Sequence, residues 1–193
     1  MLDFTVVKNG TMSLPALAAN LTKADLYALT DEMIDTMQSI TADALDEDVV
    51  FVPVDPKASD PFGKPEENEL AWTLGHVVVH ATASSEEAAA LALTLARGIV
   101  VEGRSRYETP WETVTSSAQI HQRLEESRKM RKAMLDAWPE LPHLDVTYTP
   151  FPRLGPINAT GRFIMGLYHD TDHLDQLREI MRQAREAHPR PTK

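Results

Sequence analysis

Apolar residues recur along this chain at intervals of three and four, and no window alternates apolar and polar in twos for long. Leu26, Leu29, Met33, Ile34 and Met37 trace one helical stripe. Leu70, Leu74, Val77, Val78, Ala81, Ala88 and Leu95 trace a second, and Phe163, Leu167, Leu174, Leu177 and Met181 a third. Proline sets the limits, because it removes a backbone donor and breaks helix interiors. The prolines group at 53, 56, 61 and 65, at 139, 142, 150, 152 and 156, and at 189 and 191, with Pro15 and Pro110 apart. Four proline-free windows remain, at 16–52, 66–109, 111–138 and 157–188, each rich in helix formers.

This pattern predicts four helices. The first covers residues 23–46, with Thr22 as its N-cap and Asp25 in its first turn. The second covers 69–97. The third covers 116–137, opening at Ser116 or Ser117 and closing before Trp138-Pro139. The fourth covers 158–187, capped by Asn158 or Thr160. The linkers 47–68 and 139–157 are long, and long linkers often line a site. Val49 to Val52 and Val146 to Tyr148 read as short strands within them. The expected fold is all-α: a single four-helix-bundle domain over residues 1–193, with long connecting loops and short β segments at most.

Composition narrows the chemistry. The chain has 193 residues, no cysteine and seven histidines. Thiolate catalysis, iron–sulfur clusters and cysteine zinc sites are therefore excluded, and any metal must be held by His, Asp or Glu. Nineteen Lys and Arg against 29 Asp and Glu leave a net charge of −10, which argues against nucleic acid as a partner. The N-terminus carries Asp3 where a signal peptide carries basic residues. The longest apolar stretch, Ala88 to Val101, is broken by Thr94, Arg97 and Gly98 and falls short of the roughly 20 residues a membrane span takes. The expectation is a cytoplasmic protein with no membrane partner.

Two of the predicted helices carry histidine at i and i+4: His76 and His80 on the second, His169 and His173 on the fourth. Chance gives only about 0.2 such pairs in a chain with seven histidines, so two are an excess. Residues at i and i+4 share a helix face one turn apart, so two imidazoles can converge on one ion while a facing helix supplies a third ligand. On the helical wheels His76, His80, Ser84 and Glu87 flank the second stripe, and His169, His173, Gln176 and Ile180 flank the fourth helix's stripe. Both edges can meet at one side or end of a bundle. His121, His143 and His188 have no such partner and read as ordinary surface or hydrogen-bonded residues.

The segment Trp72-Thr73-Leu74-Gly75-His76-Val77-Val78-Val79-His80 resembles the second-helix motif of the DinB-like (DinB/YfiT-like) metalloprotein superfamily, in which Trp precedes Ser or Thr and a His follows eight residues later. His169-Asp170-Thr171-Asp172-His173-Leu174-Asp175-Gln176 is similar to the fourth-helix motif His-x-x-x-His-x-x-Gln. The resemblance spans most of the chain. It implies a bundle in which His80, His169 and His173 bind one divalent ion, with His76 as a neighbour at a position that varies between Glu, Gln and His. It also implies a homodimer, which is in any case the commonest assembly. The superfamily includes S-transferases and isomerases that use a low-molecular-weight thiol, and members proposed as metal-dependent hydrolases. The expected function is therefore a metal-dependent enzyme, transferase-like or hydrolase-like, that activates a thiol or water. The alternative is a non-catalytic protein of metal or small-ligand binding or stress response.

Imidazole ligands suit Zn, Ni, Fe and Cu alike and do not select the metal; one divalent ion, Zn, Ni, Fe or Mn, is expected. With no cysteine in the chain, a reacting thiol has to arrive as cosubstrate. Gln176, one turn past His173, is a candidate to orient a bound water or ligand, and also reads as a solvated helix residue. Asp172 is a candidate to accept an imidazole N–H, although it faces partly away. Asp170 lies nearer the apolar side, toward the first or second helix. Glu87, two turns past His80, reads as a salt-bridge partner. Arg104, Tyr107 and Trp111 mix cations with aromatics after the second helix. They can wall a pocket for an anionic substrate, or belong to a loop packed on the bundle.

Overall fold

A computed structural model describes residues 1–56, 58, 69–101 and 109–190. Seven helices lie among them: α1 (Thr5–Lys8), α2 (Leu14–Ala18), α3 (Lys23–Ile40), α4 (Asp46–Val49), α5 (Leu74–Ala96), α6 (Ser117–Asp136) and α7 (Ala159–Ala187). The long ones, α3, α5, α6 and α7, pack as a bundle: α3 against α6 and α7, and α5 between α6 and α7. The fold is all-α, and the described residues contain no strand beyond one isolated bridge between Tyr148 and Ile157.

Side-chain caps fix where these helices begin. Thr22 and Asp25 form a reciprocal capping box at α3, and Ser116 and Gln119 form another at α6. Asn158 accepts the Gly161 N–H at 3.0 Å to open α7. Thr73 accepts the His76 N–H at 3.2 Å, so α5 starts at Leu74 rather than at residue 69, and Leu70 stands outside the helix.

Three expectations for the linkers change. The first helix ends at Ile40, where the Thr41 hydroxyl bonds back to the Met37 carbonyl. The chain then turns, and Asp46, Glu47 and Asp48 open α4, with the Asp48 carboxylate accepting the Leu45 N–H at 2.7 Å. Val49 is thus the buried end of a helical turn, and no strand forms over 49–52. The pairing expected near 146–148 shrinks to the single Tyr148 bridge. The short α1 and α2 fall outside the four predicted helices. Ser13 caps α2, and proline occupies its first turn.

The core joins Leu26, Met33, Ile34 and Met37 of α3 to Ile120, Leu124 and Leu135 of α6, with Phe163, Ile164, Leu167, Leu177 and Met181 from α7. The N-terminal part of α5 is buried on every side, from Leu74 through Ala83 without a break. Helix contacts alone do not explain this. The short turn Trp111–Thr113 and Val114 cover the outer face, so close that a Cβ on Gly75 would stand 2.9 Å from the Val114 carbonyl oxygen. His76 and His80 therefore sit in an enclosed part of the bundle rather than on the stripe edge that the wheel gives. Farther along, Ala88, Ala89 and Ala92 are buried, small residues that let α7 approach closely.

Candidate metal centre

His80 on α5 faces His169 and His173 on α7. The Nε2 atoms of His80 and His169 are 3.1 Å apart, and those of His169 and His173 are 3.4 Å apart. One ligand nitrogen from each ring falls within 4.8 Å of the other two. These three form a group that could hold a metal ion, the only such group among the described residues. Tetrahedral coordination with Zn–N bonds of 2.0–2.1 Å places ligand nitrogens about 3.3–3.4 Å apart, close to the two observed separations. Lone pairs turned on one another at this distance repel unless a proton or a cation lies between them.

The donor set is chemically prepared. His80 is 9% exposed, while His169 and His173 are half-buried. Burial pushes the His173 imidazole below its ordinary pKa, against the opposing pull of its hydrogen bond to Gln176, and this favours the neutral form that binds metals. Its Nδ1–H donates to the Gln176 Oε1 at 2.8 Å. That bond places the proton on Nδ1 and leaves the Nε2 lone pair directed at the other two rings. Gln176 thus orients the His173 imidazole.

Aromatic rings close one side. The Trp72 ring lies 4.4 Å from that of His76, 4.5 Å from His80 and 5.8 Å from His173, centroid to centroid. Trp111 stacks on the other face of His76 at 4.8 Å with planes 3° apart. His76 is therefore held between two indoles, and it is not part of the three-nitrogen group. Of the two second-helix histidines, His80 is the one that the structure places in this group.

The other sequence candidates separate. Asp172 is exposed and pairs with Lys8 at 2.5 Å, so it is held at the surface and touches the imidazoles only through its field. Arg104 and Tyr107 lie outside the described residues, and Trp111 reaches the site through its stack on His76. Glu87 lines a groove between α5 and α6 with Arg123 and Met130. His188 bonds to Asp48, far along the chain from the triad.

The expectation that Asp170 turns toward the first or second helix is met through Ser85 of α5, while its Arg131 partner and the role of Trp72 were not assigned from the sequence. Asp170 is fully buried and pairs with Arg131 of α6 at 2.5 Å, while Ser85 of α5 donates to its other oxygen at 2.7 Å. The signal for Arg131 was present: Ile120, Leu124, Ser127, Arg131 and Leu135 are all buried at helical spacing, so two polar residues occupy core positions.

Fold and site together define an all-α bundle protein with a three-histidine group on two facing helices. The sequence profile of the DinB superfamily matches residues 9–177, and the chain belongs to that superfamily. Comparison with curated proteins and with solved structures finds no match.

Proposed function

We propose that His80, His169 and His173 hold one divalent metal ion, and that the loaded protein is an enzyme activating a thiol or water, in the manner of a thiol-dependent S-transferase or a hydrolase. The observation that carries this reading is the convergence of three imidazole nitrogens from α5 and α7. Three neutral ligands would leave a bound Zn, Ni, Fe or Mn ion its full charge, and such an ion would supply the acidification of a thiol or water.

The chain's own groups supply the rest. Gln176 fixes the tautomer and ring angle of His173. Trp72 walls the site against His80 and His173, lowering the local dielectric and restricting solvent. Trp111, stacked on His76, extends this wall away from the triad, and its half-buried indole offers flat apolar surface to a substrate. The thiol is external, since the chain has no cysteine. A homodimer and a cytoplasmic setting belong to the same proposal.

The test is turnover by the metal-loaded protein with a panel of low-molecular-weight thiols and electrophiles, and with ester and amide substrates. Thiol- or water-dependent turnover that disappears in His169→Ala supports the enzyme. Stoichiometric metal without turnover across the panel favours a binding protein instead.

A further inference from the structure

We propose that Gly166, Ser85 and Asp170 form a spacer that sets the distance between α5 and α7 at the triad, and so the separation of His80 from His169 and His173. The proposal rests on the reading of the triad as a metal site, but its geometry can be examined without metal.

Gly166 lies three residues before His169, on the buried side of α7. A Cβ there would stand 2.8 Å from the Ala88 Cβ and 3.1 Å from both the Cα and the Oγ of Ser85. Two of those neighbours are part of or fixed to the α5 backbone, so a side chain larger than hydrogen cannot be absorbed by a rotamer change. The two helices are in contact through their main chains at this level.

Ser85 makes the contact directional. Its single hydroxyl hydrogen is shared between the Gly166 carbonyl at 2.9 Å and the Asp170 Oδ1 at 2.7 Å. It therefore marks one position along α7 and opposes sliding in either direction. Asp170 Oδ2 accepts from Arg131 Nη1 at 2.5 Å, and Arg131 Nε donates to the Ser127 hydroxyl at 3.0 Å, which ties α6 to the same point. Asp170 is 0% exposed and Arg131 1%. Replacing a buried pair of this kind by apolar residues is often neutral or stabilising, so stability alone does not account for it. Registry does. The pair has a second effect. Both Asp170 oxygens are engaged, which keeps a carboxylate adjacent to His169 out of the three-nitrogen group.

The lever is short. At 1.5 Å rise per residue, Gly166 stands about 4.5 Å along the helix axis from His169, and Ser85 about 7.5 Å from His80. A gap opened at Gly166 passes almost undiminished to the 3.1 Å separation of His80 and His169. Metal–ligand distances tolerate only about ±0.2 Å, so a shift of a few tenths of an ångström is enough to matter.

The experiment compares the full-length chain with Gly166→Ala, Gly166→Ala/Ala88→Gly and Ser85→Ala. The imidazole nitrogen and ring-proton resonances of the metal-free proteins are recorded, and cobalt(II) is then titrated by visible absorption. In Gly166→Ala the His80, His169 and His173 signals should move while the far-ultraviolet helix signal is retained, and cobalt affinity should fall about ten-fold or more, as for other losses of ligand support. Removing the Ala88 methyl in the double variant should return both toward wild type. Ser85→Ala, which adds no bulk, should shift the same signals less. Unmoved imidazole signals in folded Gly166→Ala overturn the spacer; recovery in the double variant is partial, because the 3.1 Å approaches to Ser85 remain. If Gly166→Ala fails to fold, unmoved signals in Ser85→Ala overturn it. Wild type that binds no cobalt, with imidazole signals that still respond, removes the metal reading and leaves the spacer standing.

Discussion

His173 takes its state from two neighbours: a buried setting that disfavours its charge and a Gln176 oxygen that holds the proton on Nδ1. Ligand and support therefore differ in what their loss should do. His169→Ala or His173→Ala removes a nitrogen from the three-atom group and should abolish stoichiometric metal binding, measured as bound metal per chain after dialysis. Gln176→Ala leaves all three ligands in place and should weaken metal affinity by about 10–100-fold, the usual range for such partners. His80→Ala should harm binding more than His76→Ala, because His76 is taken up by stacking between Trp72 and Trp111. The reverse order in a side-by-side titration would exchange their roles. The histidines were legible in the sequence because i,i+4 spacing is a local property. The contributions of Ser85 and Arg131 were not, because each depends on which helix stands opposite. Asp170 sits within the His169–Gln176 motif, yet its partners lie 85 and 39 residues away.

Among the elements, α5 bears the most on function, and its start is set by one hydroxyl. Thr73 places His76 and His80 in the first two turns, in the segment covered by α7, Val49 of α4 and the Trp111 turn with Val114. Thr73→Ala should cost about 1 kcal/mol, the typical value for a lost N-cap. In thermal unfolding this corresponds to a fall in midpoint of roughly 2–4 °C for a chain of this size. The buried pair that joins α5, α6 and α7 should be far more sensitive to one-sided change. Arg131→Met leaves Asp170 without its counter-charge and should cost about 3–5 kcal/mol in denaturant unfolding. A cost below 1 kcal/mol would mean that Asp170 finds another partner. The long helices were readable because stripes, caps and prolines agree over many turns. The linkers were read less well. Val49 to Val52 has strand-like composition, but the acids before it open a helical turn and bury Val49. Helices of four and five residues, α1 and α2, are too short to show a period.

At the scale of the whole molecule, acids tie the bundle together, and they give it a pH dependence of definite sign. Asp31 of α3 meets Arg128 and Lys132 of α6, and Asp48 of α4 meets His188 and Arg190 beyond α7. Burial raises the pKa of both carboxyls. For Asp31 the Lys132 and Arg128 bonds outweigh it, and for Asp48 the Leu45 N–H, His188 and Arg190 do, so both end below the ordinary 3.8. Their folded values lie below their unfolded ones, so their stabilisation is complete above that value and is lost as pH falls beneath it. The unfolding midpoint should therefore drop on acidification below pH 3.8, and Asp48→Asn should flatten that drop. The described residues contain no helix long and apolar enough to cross a membrane. Everything proposed about function passes through one property of the molecule, its capacity to hold a metal. Calorimetric titration of the metal-free chain with zinc or nickel measures that property most directly. The predicted result is saturable binding of one ion per chain, absent in His169→Ala. Wild-type protein that takes up none of Zn, Ni, Fe or Mn, or a His169→Ala variant that binds like wild type, would contradict it.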